Sequence, residues 1–241
     1  MRHILIAASG QEQSLSFLEK GVLSMFLSRV EVPWGYSRNL YDIHRAIWKL
    51  FPDTERESRR NSDEARQGFL FRIEENQPGK PSRLIIQSRK FPLKQIGEIK
   101  ILAAKELNPQ PCRSQQLEFL LTANPVKTIN DKNGRTSRDG EIKHCRVPLI
   151  REEEQIEWLR KRLETIASIE NVTVTKLPPI FFYKRGRNNE SNSGKLVPVQ
   201  YEGSIRVGDP ERLVVLMQNG IGPAKAFGCG LMLVKRISGK E

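Results

Sequence analysis

The chain has 241 residues, and its 40 Lys and Arg against 28 Asp and Glu give a formal net charge of +12 and a pI near 9.8. Its length is enough for two small domains or one large one, and no stretch approaches the ~18 apolar residues of a membrane-spanning helix. A charge of this sign and size favours a polyanionic partner: nucleic acid first, an anionic membrane surface second, or a ribosome-like setting without a specific site.

Cysteine and histidine are too sparse and scattered to form a metal site. The three cysteines contain no Cys-x-x-Cys pair, and the three histidines fall far apart along the chain. His144 and Cys145 are adjacent, but no further ligands lie at zinc-binding spacing. We therefore expect no metal and no cofactor. The odd, sparse cysteine count favours a reducing cytoplasm.

The first 24 residues differ from the rest of the chain. They carry no clear hydrophobic period, and a strand-like run (MFLSRVEV) begins at Met25, which would make a natural start. The weak apolar run near the N-terminus is followed at once by Glu12, which makes a poor signal peptide. We therefore expect residues 1–24 to be an N-terminal appendage.

An amphipathic helix and further strands follow this first strand. Apolar residues from Leu40 to Phe51 recur at spacings of three and four, and Pro52 stops the helix. Residues 53–67 are charged and lack apolar anchors, which predicts a mobile loop. Beyond it we predict a hairpin of strands 69–73 and 83–87, a weak helix at 91–97 and a strand at 98–107. This order is the split βαβ, or ferredoxin-like, pattern.

A second round of the same order follows a proline-containing linker at 108–114. Its predicted elements are a strand at 116–123, a basic loop at 127–143, a short extended run at 146–150, a helix at 151–168, two strands at 172–183 and 195–207 joined by a polar turn, a helix at 210–217 and a strand at 231–237. We therefore predict an α+β fold of two tandem ferredoxin-like domains, with 25–110 as the N-terminal domain and 111–241 as the C-terminal domain.

A glycine-rich segment, GIGPAKAFGCG at 220–230, joins the last predicted helix to the last strand. Glycine allows positive φ and a close backbone approach, so such a loop beside a helix favours a phosphate contact. The order helix, loop, strand differs from a dinucleotide-binding fingerprint, and no Gly-Lys-Ser/Thr follows as in a P-loop. A tight helix-to-strand turn without a ligand is the other interpretation.

Two side chains on the first helix are candidates for chemistry. Tyr41 and His44 lie three residues apart, so they share one face of the helix, with Arg45 and Lys49 nearby. Tyrosine and histidine can position and protonate an oxygen near phosphate. A helical histidine without a ligand set is also often a structural or solvated residue, and the sequence leaves both interpretations open.

Two basic runs offer phosphate contacts. Lys184, Arg185 and Arg187 occupy the turn between two predicted strands, and the loop that begins at Lys127 is basic as well. Each run indicates either a surface that follows nucleic-acid phosphates or a solvated loop.

Taken together, these segments resemble a known family. In chain order they are MFLSRVEV, SRNLYDIHRAIWKLFPD, FLFRIE, IIQSR, TANPVKT, HCRVPLIREEEQIEWLRKRLE, GKLVPVQYEG and GIGPAKAFGCGL. Over about residues 25–237 the chain is similar to CasE, the CRISPR repeat-processing endoribonuclease of type I-E systems. The combination of Tyr-x-x-His, ANPxKT, CRVPLI and the glycine-rich segment carries the resemblance.

The resemblance implies a specific activity. CasE proteins fold as two ferredoxin-like domains, bind the stem-loop of the CRISPR repeat and cut once at the 3′ base of the hairpin. The 2′-OH attacks the phosphate without a metal and leaves a 2′,3′-cyclic phosphate and a 5′-OH. The product stays bound, and the protein becomes a subunit of Cascade. The implied partners are therefore the CRISPR repeat RNA and other Cascade subunits, with no membrane.

The resemblance also assigns residues. The family's catalytic histidine falls on His44 and its supporting tyrosine on Tyr41, and which of the two moves the proton stays open. The implied RNA-binding residues are Lys127, Lys184, Arg185, Arg187, Gly220, Gly222, Lys225, Gly228 and Gly230. The appendage and the long loop at 53–67 depart from the family pattern. A non-catalytic RNA-binding subunit and a general RNA-binding module are alternatives, since the fold serves many functions.

Overall fold

The computed structural model describes residues 25–52, 68–130, 136, 140, 144–185 and 191–237. The predicted appendage at 1–24 and the predicted loop at 53–67 lie outside these residues. Among the described helices, none is long and apolar enough to cross a membrane.

The N-terminal half forms one antiparallel sheet with a helix packed on one face. Its elements are β1 (Met25–Val32), α1 (Trp34–Ser37), α2 (Leu40–Trp48), β2 (Phe69–Glu75), β3 (Ser82–Ser88), β4 (Gln95–Ile96) and β5 (Ile99–Leu107). The strand order is β2-β3-β1-β5-β4, and each neighbouring pair is antiparallel. Without the short β4, this is the strand order of a ferredoxin-like unit.

Helix α2 forms because its sequence provides both a cap and an apolar face. The Tyr41 N–H donates a hydrogen bond to the side chain of Asn39 at 3.2 Å, which caps the first turn. Ile43, Ala46 and Ile47 are buried against the sheet. Burial of a large aliphatic side chain contributes ~1.5–3 kcal/mol. This inner face fixes the helix on the sheet and sets the direction of its other residues.

The prediction of a weak helix at 91–97 is wrong. The segment instead contains β4, which pairs with β5 across a tight turn. Pro92 has no N–H for a helical hydrogen bond. Gly97 takes a positive φ of 56° at the turn, and its carbonyl accepts a hydrogen bond from Gln95 Nε2 at 2.9 Å. Because Pro92 and Gly97 both disfavour helical backbone, this segment forms a hairpin more readily than a helix.

The C-terminal half repeats the same arrangement. Its elements are β6 (Gln116–Ala123), β7 (Val126–Asn130), β8 (His144–Pro148), α3 (Glu152–Leu163), β9 (Ala167–Lys176), β10 (Ile180–Arg185), β11 (Ser191–Leu196), β12 (Val199–Val207), α4 (Pro210–Asn219), a 3-10 turn (Lys225–Phe227) and β13 (Met232–Arg236). The main sheet has the order β13-β6-β12-β9, with antiparallel pairing.

The predicted α+β fold of two tandem ferredoxin-like units is therefore confirmed. The linker between the sheets contains residue 110, so we keep the predicted domain division there as a proposal.

Two long strands predicted in this half are each divided. The run predicted at 172–183 becomes β9 and β10, and the run at 195–207 becomes β11 and β12. Pro178 and Pro179 lie in the first break and Pro198 lies in the second. Because proline cannot donate a ladder hydrogen bond, the strands end there. Strands β10 and β11 consequently form a two-stranded hairpin of their own.

Two further boundaries differ from the predictions. The loop predicted at 127–143 begins with β7, which forms an antiparallel pair with β8. Helix α3 ends at Leu163, short of the predicted residue 168, and β9 starts at Ala167. Thr165 takes a positive φ of 65°, which a continuing helix does not permit.

Two hydrogen bonds between the halves lie on the face of the first sheet that is opposite α2. The Gln87 Nε2 donates to Met217 O at 2.8 Å, and Arg72 Nη2 donates to Gln200 Oε1 at 2.9 Å. Burial lowers the pKa of Arg72, and nearby glutamates oppose this shift. One buried and one partly buried hydrogen bond therefore join the first sheet to α4 and β12.

Candidate functional site

His44 lies on α2 among aromatic rings. The centroid of its imidazole is 5.3 Å from the ring of Phe69, 6.1 Å from that of Trp48 and 6.4 Å from that of Phe71. The residue is half-buried. The imidazole therefore packs on β2 and keeps access to the surface.

Tyr41 precedes His44 on the same side of the helix and is also half-buried. The buried residues of α2 are Ile43, Ala46 and Ile47, which face the sheet. The structure thus brings both predicted catalytic residues together outside the buried face of one helix. Their catalytic roles stay predictions.

The glycine-rich segment crosses β2, the outer strand of the first sheet. Gly220 lies against Leu70, where an added Cβ would be 2.8 Å from both methyl carbons. Gly228 lies against Phe71, where an added Cβ would be 3.4 Å from the ring. Successive residues of a strand point to opposite faces of the sheet, so the segment touches both faces of β2.

The 3-10 turn brings the glycine-rich segment to the helix that bears His44. Cα atoms of the turn lie within 8 Å of Cα atoms in α2 and in β2. Strand β10 also comes within 8 Å of α2 by the same measure. Two elements of the C-terminal half therefore approach the Tyr41/His44 helix of the N-terminal half.

Packing explains the glycines of this segment. All four take positive φ, from 73° at Gly220 to 92° at Gly230. At Gly222 an added Cβ would be 2.7 Å from the Trp158 ring, so a side chain would both strain the backbone and collide with the indole. Gly220, Gly228 and Gly230 are buried, and Gly222 is half-buried. This geometry supports the tight turn, and a contact of these residues with RNA stays a prediction.

Lys225 is partly buried against its own segment. Its ammonium donates a hydrogen bond to Asn219 O at 2.6 Å. The pKa of Lys225 is lowered mainly by burial and to a smaller extent by repulsion from the Arg162 guanidinium. Arg162 lies 5.4 Å from the centroid of the Trp158 ring. Arg162 and Trp158 were not predicted as neighbours of the site, although their i,i+4 spacing in α3 indicates a stacked pair.

The predicted basic hairpin corresponds to β10 and β11. Lys184 and Arg185 are in β10, opposite Asn192 and Ser191 of β11. Arg187 lies outside the described residues. Because β10 approaches α2, the basic hairpin and the predicted catalytic helix are neighbours.

Lys127 is placed on β7, next to α3. Its ammonium is 3.4 Å from Glu154 Oε1, and the two side chains are 54% and 41% exposed. An exposed pair of this kind contributes only ~0.2–1 kcal/mol. Lys127 is therefore able to exchange this carboxylate for another anion at little cost in stability.

An aromatic contact that was not predicted from the sequence links the hairpin to the glycine-rich segment. The rings of Phe182 and Phe227 have centroids 4.5 Å apart and an interplanar angle of 41°. Phe182 belongs to β10, and Phe227 ends the 3-10 turn. No local pattern signals a contact between residues so far apart in the chain.

Cys229 is not suited to nucleophilic chemistry. The residue is buried, and burial raises the pKa of its thiol to about 12. The thiol therefore stays protonated, whereas the thiolate is the reactive form. In the part of the chain that the structure describes, no group of three or more His, Cys, Asp or Glu residues is arranged to hold a metal ion.

These features together define a class of protein that is built from two ferredoxin-like units and carries a basic hairpin beside a Tyr/His helix. This arrangement suits a polyanionic ligand. A sequence model of the family described as CRISPR associated protein matches residues 25–236. The chain is 36% identical over 208 residues to CRISPR system Cascade subunit CasE of Escherichia coli K12, covering 86% of this chain and 98% of the relative. The chain therefore belongs to this family of CRISPR-associated proteins, which includes CasE.

A second relative and two solved structures agree with this assignment. CRISPR-associated endoribonuclease Cse3 of Thermus thermophilus is 30% identical over 207 residues, or 81% of this chain and 90% of the relative. The crystal structure of Cas6e from Escherichia coli K-12 has a TM-score of 0.71 at 36% identity, covering 88% of this chain and 100% of that chain. Thermus thermophilus Cse3 bound to an RNA representing a pre-cleavage complex has a TM-score of 0.60 at 26% identity, covering 88% and 99%.

Proposed function

We propose that this chain is an endoribonuclease that binds the stem-loop of a CRISPR repeat, cuts the precursor RNA at the 3′ base of the hairpin and stays bound to the crRNA as a subunit of Cascade. The observation that carries the proposal is the approach of α2, with Tyr41 and His44, to the glycine-rich segment and the basic hairpin. The names of the two relatives support it, since one is a Cascade subunit and the other a CRISPR-associated endoribonuclease. We propose the cytoplasm as its location, because precursor RNA is transcribed there.

The proposed cleavage uses the nucleophile of the RNA itself. The 2′-OH loses its proton, its oxygen bonds to phosphorus, and the bond from phosphorus to the 5′-oxygen breaks. The 5′-oxygen takes a proton, so the products carry a 2′,3′-cyclic phosphate and a 5′-OH. The reaction needs one group that accepts a proton and one that donates a proton. Because side chains can perform both transfers, the proposed reaction is metal-independent.

Tyr41 and His44 are the proposed proton-transfer pair. Histidine as a residue type has an ordinary pKa near 6.5, so both of its protonation states are populated near neutral pH. The packing of His44 on Phe69 restricts the orientation of the imidazole. Tyr41, one turn away on the same side of α2, is the proposed donor of a hydrogen bond to the same phosphate. Measuring the pH–rate profiles of variants at the two positions would show which side chain transfers the proton.

Basic residues around this helix are the proposed recognition surface. A-form RNA presents its shape, 2′-OH groups and backbone, so cations that follow phosphates provide most of the affinity. The proposed RNA-binding residues are Lys127, Lys184, Arg185, Arg187, Gly220, Gly222, Lys225, Gly228 and Gly230. The net charge of +12 supports a polyanionic ligand of this kind.

Cleavage of a repeat stem-loop RNA in EDTA tests this function. We expect complete cutting in EDTA and a 2′,3′-cyclic phosphate on the upstream product. A 2′-deoxy substitution at the cut nucleotide is the matched control substrate, which should bind with the same affinity and stay uncut. A requirement for Mg²⁺, or cleavage of the deoxy substrate, would refute the mechanism.

A non-catalytic RNA-binding subunit of the same architecture is the second candidate. It is favoured by the position of His44 among three aromatic rings, which gives the residue a packing role. This candidate predicts tight binding of the same RNA and no cleavage with or without EDTA.

A further inference from the structure

The β10–β11 hairpin is not held by the main sheets. Within the described residues, its strands pair only with each other, and they form a two-stranded sheet separate from β13-β6-β12-β9. The strands are interrupted by proline where the hairpin departs from β9 and β12, at Pro178, Pro179 and Pro198. Its orientation relative to the rest of the protein therefore depends on side-chain contacts.

One such contact is the ring pair of Phe182 and Phe227, with centroids 4.5 Å apart. Gly194 lies opposite Phe182 in the hairpin register, and a Cβ at that position would overlap the Phe182 ring. The glycine thus leaves room for the ring to lie across β11 and still reach Phe227. Aromatic pairs in this geometry contribute ~0.5–1.5 kcal/mol beyond the area that they bury.

The contact continues from Phe227 to the Tyr41/His44 helix. Phe227 ends the 3-10 turn, and the next residue, Gly228, lies against the Phe71 ring. The Phe71 ring is in turn 6.4 Å from the imidazole of His44. A continuous series of packed groups therefore runs from the hairpin to His44.

We propose that Phe182 and Phe227 are positioning residues that couple the basic hairpin to the catalytic helix, so that an RNA stem held by the hairpin is aligned with His44. This inference rests on the function proposed above. Neither phenylalanine belongs to the two buried hydrophobic cores. Truncating either ring therefore removes the coupling and leaves both folded units in place.

Single-turnover cleavage at saturating repeat RNA tests the coupling. Phe182→Ala and Phe227→Ala should each lower the rate constant by roughly 2- to 12-fold, which is ~0.5–1.5 kcal/mol at 1.36 kcal/mol per tenfold. The double variant should lose no more than the single variants, because both remove the same contact. Gly194→Ala should cause a similar loss, because its Cβ would displace the Phe182 ring from β11. Phe182→Tyr retains a ring and should keep the wild-type rate constant.

Phe181→Ala is the matched control. Phe181 is the adjacent residue of the same strand, 62% exposed, and its ring lies under the Lys195 ammonium at 5.6 Å on the opposite face of the hairpin. It should keep the wild-type rate constant at saturation. An equal loss in Phe181→Ala, a wild-type rate in Phe182→Ala, or losses that add in the double variant would each overturn the coupling.

Amide hydrogen exchange of the RNA-free protein provides a readout that does not depend on cleavage. Phe182→Ala should increase exchange in the 3-10 turn and in α2, and Phe181→Ala should not. Unchanged exchange in Phe182→Ala would refute the coupling. If wild-type protein leaves repeat RNA uncut, the proposed function fails, and the exchange data still decide whether the hairpin and the helix are coupled.

Discussion

Replacing His44 by alanine separates a catalytic role from a packing role. The imidazole packs on Phe69 at 5.3 Å, but His44 is half-buried and is not part of the buried core. Its removal should destabilise the protein by ~1 kcal/mol, compared with a typical total stability of ~5–15 kcal/mol. The variant should therefore stay folded.

The effect on the chemical step should be much larger. Loss of a general acid or base slows a reaction by ~10²–10⁴-fold, which corresponds to ~2.7–5.4 kcal/mol at 1.36 kcal/mol per tenfold. We expect the rate constant of His44→Ala to fall within this range. RNA affinity should change by less than about tenfold, because phosphate contacts elsewhere provide most of the binding.

Single-turnover cleavage and filter binding on the same preparation measure the two effects separately. His144→Ala is the matched control, since His144 is an exposed histidine on β8, and it should cleave at the wild-type rate. A wild-type rate in His44→Ala would show that the catalytic residue lies elsewhere. Loss of folding and binding together with the rate would show that His44 is a structural residue.

Two further predictions concern the glycine-rich segment. Gly222→Ala should lower the free energy of unfolding by ~1–3 kcal/mol, because the residue has a positive φ and a Cβ would press on Trp158. Denaturant unfolding measures this loss, and Gly35→Ala, where a Cβ meets nothing within 4 Å, should be nearly neutral; equal midpoints for the two variants would contradict the packing argument. Burial raises the pKa of Cys229 from the ordinary 9.0 to about 12, so the associated stabilisation is complete below pH 9.0 and declines as the pH rises above it. Thiol labelling at pH 8 should modify the exposed Cys112 in native protein and Cys229 only after unfolding, and equal labelling of both in native protein would contradict this burial.

Elements whose signals lie within a few neighbouring residues were predictable from the sequence. Helix α4 begins as its sequence indicates, since the Arg212 N–H donates to the Asp209 carboxylate at 3.0 Å and Pro210 occupies the first turn. The prolines near 178 and 198 could have marked the ends of β9 and β11. That β10 and β11 then form a separate sheet depends on pairing between distant strands, which local propensity does not encode.

The candidate site was predictable to the same extent. Tyr41 and His44 share one side of α2 because helical spacing alone places them there. Positive φ in the glycine-rich segment was also foreseeable, because glycine is the residue that adopts it most easily. The neighbours for which these glycines leave room belong to distant elements. Packing of the two halves brings Leu70 to Gly220, and packing of α3 within the C-terminal half brings Trp158 to Gly222.

The course of the glycine-rich segment around β2 has a consequence for folding in the cell. β2 is the terminal strand of its sheet, and an uncovered terminal strand offers unpaired N–H and C=O groups to other chains, which promotes aggregation. The covering segment follows β2 much later in the chain, at 220–230. On the ribosome, the first sheet therefore emerges with this edge open and keeps it open until residues 220–230 have been synthesised. Truncated or stalled chains that stop before residue 220 should consequently associate through β2, although their first sheet contains every strand that it needs.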